Sequence, residues 1–169
     1  MKSDFNKVDI STIDLNAIDL IGKQWMLITA GTVEKYNTMT ASWGGMGELW
    51  NKPVVFIFIR PQRFTYEFVE EHDYFTCCFF DKTYRKTLNY CGENSGREVD
   101  KAAETGLQPI SSANGVIFKQ ARMYIECRKI YADDIKPEKF LINFIQKHYP
   151  LQDYHRMYIG EITEVGVKG

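Results

Sequence analysis

Two arginines three residues apart offer the clearest chemistry in this chain. In Ile59-Arg60-Pro61-Gln62-Arg63-Phe64-Thr65 an apolar run ends, two guanidiniums flank a tight turn, and a short helix is expected over Thr65 to Glu71. A strand end, an arginine pair, a hydroxyl and free helix amides suit a phosphate, because guanidinium forks add directional, charge-assisted bonds to the pull of the helix terminus. The competing reading pairs Arg60 and Arg63 with Glu67, Glu70 or Glu71 on the surface. A second stretch, Asn37-Thr38-Met39-Thr40-Ala41-Ser42-Trp43-Gly44-Gly45, alternates. Strand geometry puts Thr38, Thr40 and Ser42 on one face and Met39, Ala41 and Trp43 on the other. The polar face could serve a flat heterocycle, and the glycines let a ligand approach the backbone; the alternative is a half-exposed strand running into a loop. In a third stretch, Ser95 and Glu98 have capping-box spacing ahead of Lys101, which could reach an anion. Its alternative is a solvated amphipathic helix.

Other catalytic templates fail. Gly44, Gly45 and Gly47 invite a dinucleotide fingerprint, but Trp50 occupies the third glycine position and Pro53 follows in place of a helix. His72, His148 and His155 are scattered, so no triad can be argued from spacing. Cys77, Cys78, Cys91 and Cys127 form no C-x-x-C pair and have no histidine at ligand spacing, so no metal site is expected and the thiols read as buried. An enzyme built on this chain would rely on a bound cofactor.

The positioning elements are mostly strands: Trp25 to Ala30, Thr38 to Trp43, Val54 to Ile59, Tyr74 to Phe80, Gly115 to Phe118, Met123 to Ala132 and Arg156 to Val167. Helices are expected over Thr65 to Glu71, over Thr83 to Tyr90, and from Ser95 onward. The clearest opens at Pro137, with Phe140, Leu141, Phe144 and Ile145 on one stripe and Pro150 closing it. This is a mainly β pattern, an antiparallel barrel with helical decoration. Val54 to Ile59 has no polar side, which predicts burial on both faces and a dimer. The 169 residues point to one domain over 1–169, and 21 basic against 22 acidic side chains remove the footprint of a nucleic-acid binder. Met1 to Lys7 has no apolar leader and no run is long enough to span a membrane, so a soluble, cytoplasmic protein is expected. Aromatic residues reach 14%, more flat surface than most chains this size carry, and packing accounts for most of it.

Several long motifs carry a resemblance. Lys23-Gln-Trp-Met-Leu-Ile-Thr-Ala-Gly31, Tyr36 to Gly45, Trp50-Asn-Lys-Pro-Val54, Phe58 to Arg63 and Ser95-Gly-Arg…Asp100-Lys101 resemble the flavin reductase-like, FMN-binding split-barrel family, most closely its flavoredoxin branch. Glu126-Cys-Arg128 and Tyr158-Ile-Gly-Glu-Ile162 fit its late strands. The resemblance implies a Greek-key split β-barrel, a homodimer, and one noncovalent FMN per subunit near the dimer interface. Carried over by position, Asn37, Thr38, Thr40, Ser42 and Trp43 line the isoalloxazine and ribityl chain. Arg60, Gln62, Arg63 and Thr65 approach the phosphate, and Ser95 and Lys101 complete that end. His155 lies where the family often has a histidine near the flavin face, although its surroundings differ and a surface histidine is the competing reading. The implied activity is an NAD(P)H-dependent reductase passing reducing equivalents through FMN to free flavin, ferric complexes or a partner protein. The alternatives are an FMN electron carrier without its own NAD(P)H turnover, or a barrel holding another phosphorylated ring such as pyridoxal phosphate.

Overall fold

Runs of β-branched and aromatic residues become antiparallel strands, as their fit to a pleated, half-buried surface dictates. The computed structural model describes residues 4–169; Met1, Lys2 and Ser3 of the leader reading lie outside the described residues. Its strands are β1 (Phe5–Lys7), β2 (Met26–Thr32), β3 (Lys35–Ala41), β4 (Gly44–Leu49), β5 (Lys52–Ile59), β6 (Tyr74–Phe79), β7 (Pro109–Ser111), β8 (Val116–Phe118), β9 (Met123–Asp134) and β10 (Arg156–Lys168). One sheet runs β3-β2-β6-β9-β10-β5-β4 with β1 on β10, while β7 and β8 form a separate pair. Every pairing is antiparallel, and neighbours such as β2–β6 and β5–β10 are distant in sequence, which is the connectivity of a Greek-key split barrel. The two outermost strands, β3 and β4, are consecutive in the chain, joined through Ser42 and Trp43.

Alternation divides the side chains into two cores. Met26, Ile28, Met39, Val55, Ile57, Phe75, Cys77, Ile125 and Tyr158 fill the interior of the sheet. Leu27, Cys78 and Tyr124 point the other way, onto Leu88, Cys91, Ala102 and Phe118. Adjacent Cys77 and Cys78 therefore enter opposite cores, and all four thiols are buried and free. On β5, Val55, Ile57 and Ile59 face inward, whereas Phe56 and Phe58 remain partly exposed on the outward face opposite Ile159 and Met157. Full burial of that face is thus not reached within one chain. The glycine-rich stretch after Trp43, outside the expected strands, is strand β4: a Cβ on Gly44 would lie 2.6 Å from the Phe56 carbonyl oxygen, so glycine lets β4 close onto β5.

The helices are α1 (Ala17–Asp19), which runs into a π-helical turn over Leu20–Gln24, then α2 (Phe64–Glu71), α3 (Arg85–Glu93) and α4 (Lys101–Thr105). Ser95 does not start α4. Asp100 does, its Oδ1 accepting from the amides of Ala102 and Ala103 at 3.0 Å each, while Ser95 begins a turn and accepts from the Arg97 amide at 3.2 Å. The helix expected from Pro137 to Pro150 is also corrected. Two 3₁₀ turns, Pro137–Lys139 and Asn143–His148, are separated by extended backbone at Phe140 and Ile142. The supposed buried stripe fails with it: Phe140 packs on Tyr149 and Tyr154, and Leu141 is 96% exposed. No helix among the described residues is long and apolar enough to cross a membrane.

Candidate functional site

The turn between β5 and α2 aims the two arginines in different directions. Arg63 is the N-cap of α2 in extended backbone and makes no side-chain cap, and no side chain among the described residues caps the first-turn amides. In that turn Thr65 is buried and its Oγ1 accepts from Asn37 Nδ2 of β3 at 2.8 Å. Gly96 presses against the same amide, since a Cβ there would fall 1.9 Å from Asn37 Oδ1. Opposite, Lys101 at the start of α4 is 5% exposed and donates to the carbonyls of Thr38 at 2.7 Å and Cys91 at 2.8 Å. Arg63 donates to the Gly92 carbonyl at 3.0 Å.

Neither cation is paired with a carboxylate among the described residues. Of the glutamates offered by the surface reading, Glu67 pairs with Arg97 and Glu70 with Arg156, and Glu71 forms no ion pair among the described residues. Burial, with the charge of Arg63 adding to it, pushes Lys101 down to about 8. Burial and then Arg60 lower Arg63. Two crowded, unneutralised cations could together hold an anion. Asn37, Gln62, Arg63, Thr65, Ser95 and Lys101 all line the cavity between them, about 120 Å³.

This cavity is part of a groove along β3. Arg63 also borders a second cavity of about 210 Å³, lined by Thr40, Ser42, Trp43, Phe58, Arg60 and His155. Thr40 and Ser42 connect it to a third of about 210 Å³, which returns to the first through Gly92 and Glu93. The expected polar ladder is partly committed. Thr38 is buried with its Oγ1 2.8 Å from Thr29 Oγ1 and supplies only its carbonyl, to Lys101. Thr40 donates to the Leu88 carbonyl, and Ser42 has no hydrogen-bond partner among the described residues.

Arg60 faces this second cavity, away from Lys101. Its Nη1 meets Asp153 Oδ2 at 2.5 Å, its Nη2 donates to the His148 carbonyl at 2.9 Å, and its guanidinium lies 5.0 Å from the Tyr149 ring. Gln62 donates to the same Asp153 oxygen, while Asp153 Oδ1 is buried without a partner. His155 is 8% exposed, so the surface reading is corrected. Burial, then the charge of Arg60, pushes its imidazole down to about 4 against an opposing pull from Asp153, leaving it neutral at pH 7. Its ring lies 5.1 Å from that of Trp43, which is 45% exposed. The sequence carries no signal for Tyr149 or Asp153 as neighbours of Arg60, because they are brought there from some ninety residues away.

Residues 19–169 match the family described as flavin reductase like domain. The chain belongs to this family. It shares its fold with an FMN-binding domain of a flavin reductases-like enzyme from Shewanella baltica at 17% identity (97% of this chain and 77% of that one, TM-score 0.70). The flavoredoxin of Desulfovibrio vulgaris aligns at 22% identity over 96% and 76%, with a TM-score of 0.67. An FMN-binding protein from Thermus thermophilus aligns at 22% over 83% and 68%, with a TM-score of 0.65. No curated protein matches. For this flavin reductase-like domain, flavin-linked redox chemistry is the functional class.

Proposed function

We propose that this domain binds FMN noncovalently and passes reducing equivalents from NAD(P)H through it to a flavin, ferric or protein acceptor. The observation that carries the reading is the unneutralised pair Arg63 and Lys101 at the uncapped start of α2. A phosphomonoester supplies the charge that site lacks. Thr65 and Ser95 add hydroxyls, and Lys101 still has one ammonium hydrogen without an acceptor. Thr40, Ser42 and Trp43 lie along the groove from that end, and so suit the ribityl chain and a flat ring. When bound, FMN supplies the hydride and single-electron chemistry; the protein holds it, orients it and excludes water from one side. A homodimer is supported by Phe56 and Phe58, partly exposed among the buried residues of Val54 to Ile59.

A carrier role is favoured by a different observation. Leu141, Ile142, Phe144 and Leu151 are all more than half exposed, on the segment that Arg60 fastens beside the Trp43 cavity. An apolar rim at that position suits contact with a protein acceptor. FMN titration of purified protein, followed by anaerobic mixing with NADH and NADPH, tests both. Uptake with bleaching of the flavin band supports the reductase, and uptake without bleaching supports the carrier. Protein that takes up no FMN overturns both, and uptake of pyridoxal phosphate in its place would redirect the site to another phosphorylated ring.

A further inference from the structure

The segment between β9 and β10 brings Tyr149 to His155, and the anion site uses neither. The Tyr149 hydroxyl lies 2.9 Å from His155 Nδ1, and both residues are buried. Burial raises the phenol, so its proton stays in place at neutral pH. The phenol ring is held by Tyr154 at 4.9 Å, by Phe140 at 6.1 Å and by the Arg60 guanidinium at 5.0 Å.

A neutral imidazole has one donor and one acceptor nitrogen. If Nδ1–H donated to the tyrosine oxygen, the phenol hydrogen would be left without an acceptor in a buried setting, which is costly. If the phenol donates to a bare Nδ1, both groups are satisfied. The proton then resides on Nε2, which has no partner among the described residues. Nε2 is nonetheless not sealed in: among the described residues the buried side-chain atoms without a hydrogen bond are Asp153 Oδ1 and Arg156 Nε. It is therefore reachable from the cavity that His155 shares with Trp43, Thr40 and Arg60. The charged groups about the ring are Arg60 and Asp153, whose effects oppose each other.

The geometry points to Tyr149 as a positioning residue that locks His155 in the Nε2–H tautomer and presents a fixed, neutral donor to an acceptor, such as a carbonyl, on the second reactant in the Trp43 cavity. Only the identity of the molecules in that cavity rests on the flavin reading; the tautomer belongs to the protein alone.

Long-range proton–nitrogen correlation spectra of the nitrogen-15-labelled protein without FMN test it, with His155→Gln assigning the signals. The wild type should show His155 with a protonated Nε2 and a bare Nδ1 displaced by the bond it accepts. Tyr149→Phe should return Nδ1 to the position of an unbonded imine nitrogen. A protonated Nδ1 in the wild type overturns the inference even where the variant fails to fold, and so does a Tyr149→Phe spectrum in which Nδ1 does not move. FMN uptake, titrated separately, fails or succeeds independently of this result.

Discussion

Replacing Arg63 with alanine separates a binding role from a structural one. In the ligand-free protein Arg63 makes one hydrogen bond, to the Gly92 carbonyl, and its charge works against that of Lys101. Losing the bond costs about 1 kcal/mol. Relief of the repulsion offsets part of that cost, so ligand-free stability should fall by no more than about 1 kcal/mol. Binding of a phosphate loses a charge-assisted bond of about 1.5–3 kcal/mol, a drop of roughly 10- to 150-fold in FMN affinity. Fluorescence titration reads the affinity, and urea unfolding without FMN reads the stability. Riboflavin, which has no phosphate, is the internal control and should bind wild type and variant alike. An FMN affinity unchanged within about twofold, or riboflavin weakened as much as FMN, would refute the assignment of Arg63 to the anion.

Lys101 titrates at about 8 in the fold against 10.5 for an ordinary lysine, so between those values the unfolded chain holds the extra proton. Ligand-free stability should therefore rise from pH 8 to 10.5 while FMN affinity falls above pH 8, and Lys101→Met should lose both trends in unfolding and titration series. His155, at about 4 against 6.5, works in acid: the unfolded chain protonates first, and stability should fall as pH drops through that window. The loss is up to about 3 kcal/mol, and His155→Gln should flatten it in urea unfolding at pH 7 and pH 5. Gly96→Ala drives a methyl into Asn37 and off its bond to Thr65; a loss of about 1–3 kcal/mol in unfolding is expected, with weaker FMN binding. Phe56→Glu places a charge on the outward face of β5 and should convert a dimer to monomer in sedimentation, whereas wild type that sediments as a micromolar monomer contradicts the dimer.

Strands were legible where one physical cause dominated. Phe75, Cys77 and Phe79 alternate with Thr76 and Cys78, and pleating alone sends them to opposite cores. Strand β4 was not legible, because Gly44, Gly45 and Gly47 lack the side chains that mark a strand, and Gly44 is needed for close approach to β5. The stripe from Phe140 to Ile145 had helical spacing but no common core to receive it, since Phe140 packs on Tyr149 and Tyr154 while Leu141 stays exposed; periodicity signals a helix only where a core receives it. Near Lys101, Ser95 had the spacing of a cap, but the nearer carboxylate of Asp100 took the amides. Arg63 and Lys101 were foreseeable as cations; that both would be left without a carboxylate was not, because Glu67 and Glu70 are claimed by tertiary contacts with Arg97 and Arg156. For the same reason the separate allegiance of Arg60, to Asp153 and His148, has no trace in its neighbours.

The position of β10 between β9 and β5 bears on how the chain is made. Strand β5 meets its partner Arg156–Glu161 only after about a hundred further residues have been synthesised, a long-range closure of the kind that slows folding. Until then Val54-Val55-Phe56-Ile57-Phe58-Ile59 has the β4 hairpin and no second strand. On a ribosome this is a long apolar stretch of the nascent chain that waits for its second partner strand. Slowing translation between β5 and β10 should therefore cost soluble yield, and a chaperone that shields apolar strands should restore it.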